Sequence, residues 1–174
     1  FPGKTNEYLP SEAVQQIVNI NDPAKIYVRD KALAVLRKYM HTDKAIKIQY
    51  AAKYASIANA WKKWQGEVLG LTKTKAVEKK LKYETTYNTK LKANTTLNEN
   101  YAGVLEKLNG AYKNIEQFGL VRDYYLELVS KVELFSLVNR MVALNNTYKK
   151  DAKEFKNAVE RQLNLLPDFY KNYN

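Results

Sequence analysis

Along Ile48–Glu67 the apolar positions fall at helical period. Tyr50, Tyr54, Ile57, Trp61, Trp64, Val68 and Leu71 recur at alternating steps of four and three, one stripe that carries both tryptophans of the chain. Advancing 100° per residue, Asn59 points away from that stripe, among Ala52, Ala55, Ser56, Lys62, Lys63 and Gly66. One side of the predicted helix packs on aromatics. The other is shallow, with a single amide in its middle.

The same pattern places the remaining elements. A loop, Phe1–Leu9, leads in, with Pro2-Gly3 as its turn. A short helix follows from Pro10 to about Asn19, with Ser11 and Glu12 in its first turn. Asn21-Asp22-Pro23 should stop it and start another, capped by Asp22, with Ile26, Leu33, Leu36 and Met40 on the buried side and an end near His41. Thr42 or Asp43 then caps the long helix, which from Asp43 to Leu69 would run roughly 40 Å. Gly66 and Gly70 predict a kink or break at its far end.

Thr72–Asn94 is lysine-rich, with Val77, Leu81, Tyr87 and Leu91 as a thin apolar side. Leu97, Tyr101, Val104, Leu108, Ala111, Ile115 and Phe118 form the cleanest repeat in the chain, and Gly119 should end that helix. Leu120–Asn146 is broadly apolar and reads as the central, most buried helix. A last helix is marked by Tyr148, Ala152, Phe155, Val159 and Leu166. It should stop at Leu166-Pro167, leaving 168–174 loose or docked elsewhere.

No segment alternates with period two, and only six glycines and four prolines interrupt 174 residues. The fold class is therefore all-α, an elongated antiparallel bundle of long helices. One helical domain is expected over 1–174: the loop 1–9, the bundle 10–166 and an exit segment 167–174. With 45% hydrophobic and 27% charged residues the chain is globular rather than disordered. The absence of cysteine excludes disulfides and thiolate chemistry. No apolar run approaches the ~20 residues of a membrane span. Starting at Phe1, without methionine or signal peptide, the sequence reads as an excised piece.

Chemistry is sparse. His41 is the only histidine, and the serines, Ser11, Ser56, Ser130 and Ser136, all fall in predicted helices outside any nucleophile-elbow sequence. A helix-terminal histidine is favoured by the dipole in any ordinary protein, so a capping role outweighs catalysis. The acids are dispersed, no glycine-rich phosphate loop exists, and neither a metal nor a cofactor is expected. The formal charge of +11 permits an anionic partner. Lys73–Lys92 carries seven lysines against Glu78 and Glu84, with Tyr83 and Tyr87 between them. Arginine and any base-reading motif are missing there, so a solvated helical face is favoured over nucleic-acid binding. Asn59 has a plain reading as a solvated amide. A lone amide on a small-residue face can also bring donor and acceptor close to a peptide backbone or amino terminus.

Two stretches, Phe1-Pro-Gly-Lys-Thr-Asn-Glu-Tyr-Leu9 and the Tyr-Ala-X-Lys-Tyr and Asn-X-Trp-Lys-Lys-Trp cores of Ile48–Glu67, resemble the bacterial serine dipeptidyl-peptidases of types 7 and 11. Lys4 departs from the arginine frequent in relatives. The resemblance implies a helical domain inserted into a chymotrypsin-like double β-barrel that holds a Ser-His-Asp triad, acting without metal in the periplasm or at the surface of a Gram-negative bacterium. This chain would be that helical cap, inactive by itself. Phe1–Asn6 and 168–174 would be its junctions with the missing catalytic domain. The family's use of a helical-domain asparagine on the substrate's amino terminus transfers to Asn59, at the head of its motif. The alternative is a stand-alone helical protein–protein interaction module.

Overall fold

The computed structural model describes residues 8–173, apart from the side chains at 130, 131, 152 and 168–173. Every regular element among the described residues is helical: α1 (Ser11–Gln16), a π-turn (Ile17–Asn21), α2 (Asp22–Met40), α3 (Lys44–Lys73), α4 (Ala76–Lys92), α5 (Thr95–Tyr101), α6 (Val104–Lys131), α7 (Glu133–Tyr148) and α8 (Ala152–Tyr173). The all-α class follows from a sequence with few breakers and apolar stripes at helical spacing. Contacts gather into two units, Phe1–Tyr124 and Tyr125–Asn174.

In the first unit, α2 and α3 form a hairpin closed by the short His41–Asp43 turn. Asp43 caps α3, its carboxylate accepting from the backbone N–H groups of Ala45 and Ile46. The predicted sides of both helices face inward: Leu33 and Ile57 are each 2% exposed, and Tyr50, Tyr54, Trp61, Trp64, Val68 and Leu71 are half-buried. The helix does not break at Gly66 or Gly70, but runs on to Lys73. A glycine costs about 1 kcal/mol relative to alanine, and the packed Trp64, Val68 and Leu71 around these two outweigh it.

Asn21-Asp22-Pro23 does not stop the first helix. The chain passes through a widened turn in which the Asp22 N–H donates to the Ile17 carbonyl, and Asn21 and Asp22 stay right-handed helical. The five-residue spacing carries the backbone past a proline that has no N–H to offer. Asp22 does not cap; its buried side chain is ion-paired instead.

The break expected at Gly119 falls earlier. α5 ends at Tyr101, Gly103 takes a left-handed φ of 75°, and α6 then continues through Gly119. Glycine adopts that φ without steric cost, so the turn settles there. The regular stripe from Leu97 to Phe118 lies largely exposed, Phe118 at 67%.

Leu120–Asn146, most of which belongs to the second unit, is not one buried helix. It divides at Val132, whose extended backbone (φ −116°, ψ 110°) separates α6 from α7, and Tyr125, Leu128, Phe135 and Val142 are exposed. The rings of Tyr148 and Phe155 meet edge-on at 5.1 Å where α7 turns into α8. The Asp151 carboxylate caps α8 by accepting from the Lys153 and Glu154 N–H groups. Pro167 does not end α8, which reaches Tyr173. The carbonyl that this proline cannot serve belongs to Leu163, an exposed residue whose backbone can turn to water.

Candidate functional site

Asn59 stands exposed at the middle of α3, and Ala52, Ala55, Ser56, Lys62, Lys63 and Gly66 are exposed around it. A methyl group added at Gly66 would meet nothing within 4 Å. Another chain can therefore approach the helix closely here. The carboxamide offers an acceptor oxygen and two donor hydrogens to it.

What lies behind this face holds it still. Arg29, buried on α2, donates through Nη1 to the Ile57 carbonyl at 3.1 Å, and its guanidinium lies 4.4 Å from the Trp64 ring centroid. Lys25 lies 5.1 Å from the same ring. The Lys25 ammonium also pairs with Asp22 at 3.3 Å and with Asp123 of α6 at 3.6 Å, while Arg122 closes on Asp123 at 2.9 Å. Both carboxylates are buried, and one oxygen of each has no hydrogen-bond partner among the described residues. Burial pushes the Asp22 pKa upward; Lys25 opposes that shift and Glu67 reinforces it. Lys25, between the indole and two carboxylates, and Arg29, against the same indole and the Ile57 carbonyl, thus fasten α3 to α2 and α6.

A second polar centre ties α1, α4 and α6 together. The Glu84 carboxylate is 6% exposed. It accepts from the Tyr8 hydroxyl (2.9 Å), the Ser11 N–H (2.7 Å), the Ser11 hydroxyl (2.7 Å) and the Asn109 amide (3.3 Å). Asn109 Oδ1 in turn accepts from the Glu12 N–H at 3.0 Å. The first N–H groups of α1, which no residue of its own caps, are therefore satisfied by side chains from α4 and α6. Burial alone would raise the Glu84 pKa. The hydrogen bonds from Ser11, Tyr8 and Asn109 outweigh it and hold the carboxyl below the usual range. The Tyr8 hydroxyl is pushed up to about 12, by burial first and then by donating to a carboxylate.

The chain matches the peptidase S46 family along residues 1–174. It is 43% identical to an Asp/Glu-specific dipeptidyl-peptidase of Flavobacterium psychrophilum over its whole length, covering 24% of that protein. This chain belongs to the peptidase S46 family. A second Asp/Glu-specific dipeptidyl-peptidase, of Capnocytophaga gingivalis, is 39% identical across 98% of the chain and 24% of its own length. A dipeptidyl-peptidase 7 of the same organism is 31% identical across 93% and 22%. The S46 chain thus spans about a quarter of the relatives it matches.

Within this S46 chain the other sequence candidates stay apart. His41 is the exposed C-cap of α2, its N–H bonded to the Arg37 carbonyl, and no described serine hydrogen-bonds to its ring. The Ser11 hydroxyl is committed to Glu84. The lysine-rich α4 is solvated along one face only. Its packed side holds Leu91 and, against expectation, Glu84, whereas Leu81 is 49% exposed. Glu84 had a readable signal: it lies seven residues from both Val77 and Leu91, an acid in the middle of an apolar stripe. No helix among the described residues is long and apolar enough to cross a membrane.

Proposed function

We propose that this chain is the helical part of a serine dipeptidyl-peptidase, closing the non-primed side of the active-site cleft and helping to bind the free amino terminus of the peptide. The observation that carries the reading is Asn59, an exposed amide on a small-residue face, backed by the Arg29–Trp64–Lys25 stack. A peptidase that releases dipeptides must measure two residues from an amino terminus. A fixed acceptor on a rigid helix meets that need, and movement of the helical part would gate access. In this role Asn59 Oδ1 accepts from the substrate ammonium, while the catalytic serine, histidine and aspartate belong to a barrel domain elsewhere in the parent chain. The Asp/Glu specificity of the Flavobacterium psychrophilum relative and of the first Capnocytophaga gingivalis relative supports a preference for peptides with Asp or Glu. The site of action is the periplasm or the cell surface.

Asn59→Ala in the full-length peptidase tests this. Loss of a hydrogen bond to a charged group, worth about 1.5–3 kcal/mol, should lower kcat/KM on dipeptide-releasing substrates by roughly ten- to a hundredfold. An unchanged kcat/KM would remove Asn59 from substrate binding.

A further inference from the structure

Between Asp30 and Glu67 the sequence holds eight lysines and arginines against one acid, Asp43. Four of the cations gather where α2 turns into α3: Arg37 and Lys38 before the turn, Lys44 and Lys47 after it. At 1.5 Å rise per residue each lies within about 5 Å of its helix end, and two packed helices stand about 8–10 Å apart. The Asp43 carboxylate is taken up by the Ala45 and Ile46 N–H groups. All four cations are exposed, and no ion pair among the described residues takes any of them. Apolar side chains stand open at the same end. Tyr39 is 53% exposed, and Ile48, at 79%, is the most exposed large apolar side chain among the described residues.

We propose that the turn between α2 and α3 docks end-on on an anionic lipid surface and holds the peptidase against it. An end-on approach brings all four cations to one plane, whichever side of the hairpin they occupy. Each lysine or arginine near such a surface multiplies affinity about fivefold. Screening at physiological salt decays over about 8 Å, so cations farther along the helices add little. Ile48 lies about 6 Å beyond Lys44, and with Tyr39 it supplies a short apolar contact that a headgroup layer accepts and a polynucleotide backbone does not. Three of the four cations are lysines, point charges without the fork that grips phosphates in pairs. Residues 31–49 carry one aromatic side chain, Tyr39, too few for bases to stack along. Asn59 stands about 22 Å along α3 from Lys44, so the face around it stays clear of a surface met at the turn.

The test is sedimentation of the full-length peptidase with vesicles of phosphatidylcholine, alone or mixed with phosphatidylglycerol. The mixed vesicles should carry the enzyme down and the neutral ones leave it in solution. Binding should weaken as salt rises from roughly 50 to 500 mM, over which screening shortens severalfold. Lys38→Gln, Lys44→Gln and Lys47→Gln together should lower the partition about a hundredfold, three charges at about fivefold each. Lys38→Arg, Lys44→Arg and Lys47→Arg together should keep it, and Ile48→Ser should lower it about fivefold. On soluble peptides the triple glutamine variant should keep the kcat/KM of its parent, which also shows that it folds. Equal binding to both kinds of vesicle, no binding, or binding unchanged in that variant would overturn the proposal. So would a fall in its kcat/KM, which would seat the turn against the rest of the parent chain. Capture of a single-stranded oligonucleotide as tightly as the mixed vesicles would overturn it too.

Discussion

Two carboxylate centres hold the first unit together, and they are built differently. At Glu84, donors from Tyr8, Ser11 and Asn109 converge on both oxygens, and the pKa falls despite burial. At Asp22 and Asp123 one lysine is shared by two buried carboxylates, Arg122 adding only to Asp123, each keeps an oxygen without a hydrogen-bond partner among the described residues, and the Asp22 pKa rises. A buried charge is cheap where hydrogen bonds replace its water and costly where they do not. The fully satisfied centre lies away from α3 and ties α1 to α4 and α6. The incompletely satisfied one lies behind the Asn59 face. The surface proposed as the substrate anchor is therefore fastened by the less completely satisfied of the two arrangements, a pairing expected where function constrains packing.

The sharpest test of this difference is to delete each carboxylate. Glu84→Ala leaves buried donors on α1 and α6 without an acceptor and should cost about 3 kcal/mol. In a chain of this size that is a fall in apparent midpoint of roughly 6–12 °C on thermal unfolding. Asp22→Asn keeps the shape and removes a charge that is costly to bury, while Lys25 keeps Asp123 as a partner, so it should stay within about 1 kcal/mol of the parent by the same measurement. Equal losses at the two sites would erase the distinction.

Acid titration should separate the centres by sign. Glu84, with its pKa lowered on folding, stabilises above the ordinary carboxylate range, and that contribution is lost as pH falls through its lowered value. Asp22, with its pKa raised, contributes below the ordinary range and gives this up as pH rises through its raised value. Denaturant midpoints followed from about pH 3 to 7 should therefore lose part of their acid-side decline in Glu84→Gln, and lose a decline towards neutral pH in Asp22→Asn. A change of the same sign in both variants would contradict the comparison. The smallest effect belongs to the connection between α3 and α4. Lys75 adopts a left-handed φ of 51° there. Lys75→Gly should raise stability by up to about 1 kcal/mol, and a loss on thermal unfolding would show that the side chain matters more than its backbone cost.

The stripes were legible where they met a partner within the chain. Tyr50 through Leu71 could be read from spacing alone, and so could the exposure of Asn59 on the other side, because α2 supplies the surface that buries the aromatics. The equally regular run from Leu97 to Phe118 misled, since spacing shows that a face is apolar but not what covers it. Glycine was weighed too heavily at 66, 70 and 119, and at 66 and 70 neighbouring packing outweighs its local cost. At Gly103, where a left-handed φ decides the break, it was passed over. Pro23 stands in the first turn of α2 as expected, although a π-turn carries the chain on before it, and Pro167 failed as a stop, its missing N–H falling on the carbonyl of the exposed Leu163. Glu84 and the pairing of Lys25 with Asp123 join residues far apart in sequence, and pattern along one helix does not reveal the donors that another helix brings.

The most direct measurement is a crystal structure of the full-length peptidase with a released dipeptide in its cleft. The account predicts Asn59 Oδ1 within about 2.7–3.2 Å of the dipeptide ammonium, on an α3 still fastened by Arg29 and Lys25 against Trp64. An ammonium bound by other groups, with the Asn59 face turned to solvent, would contradict it.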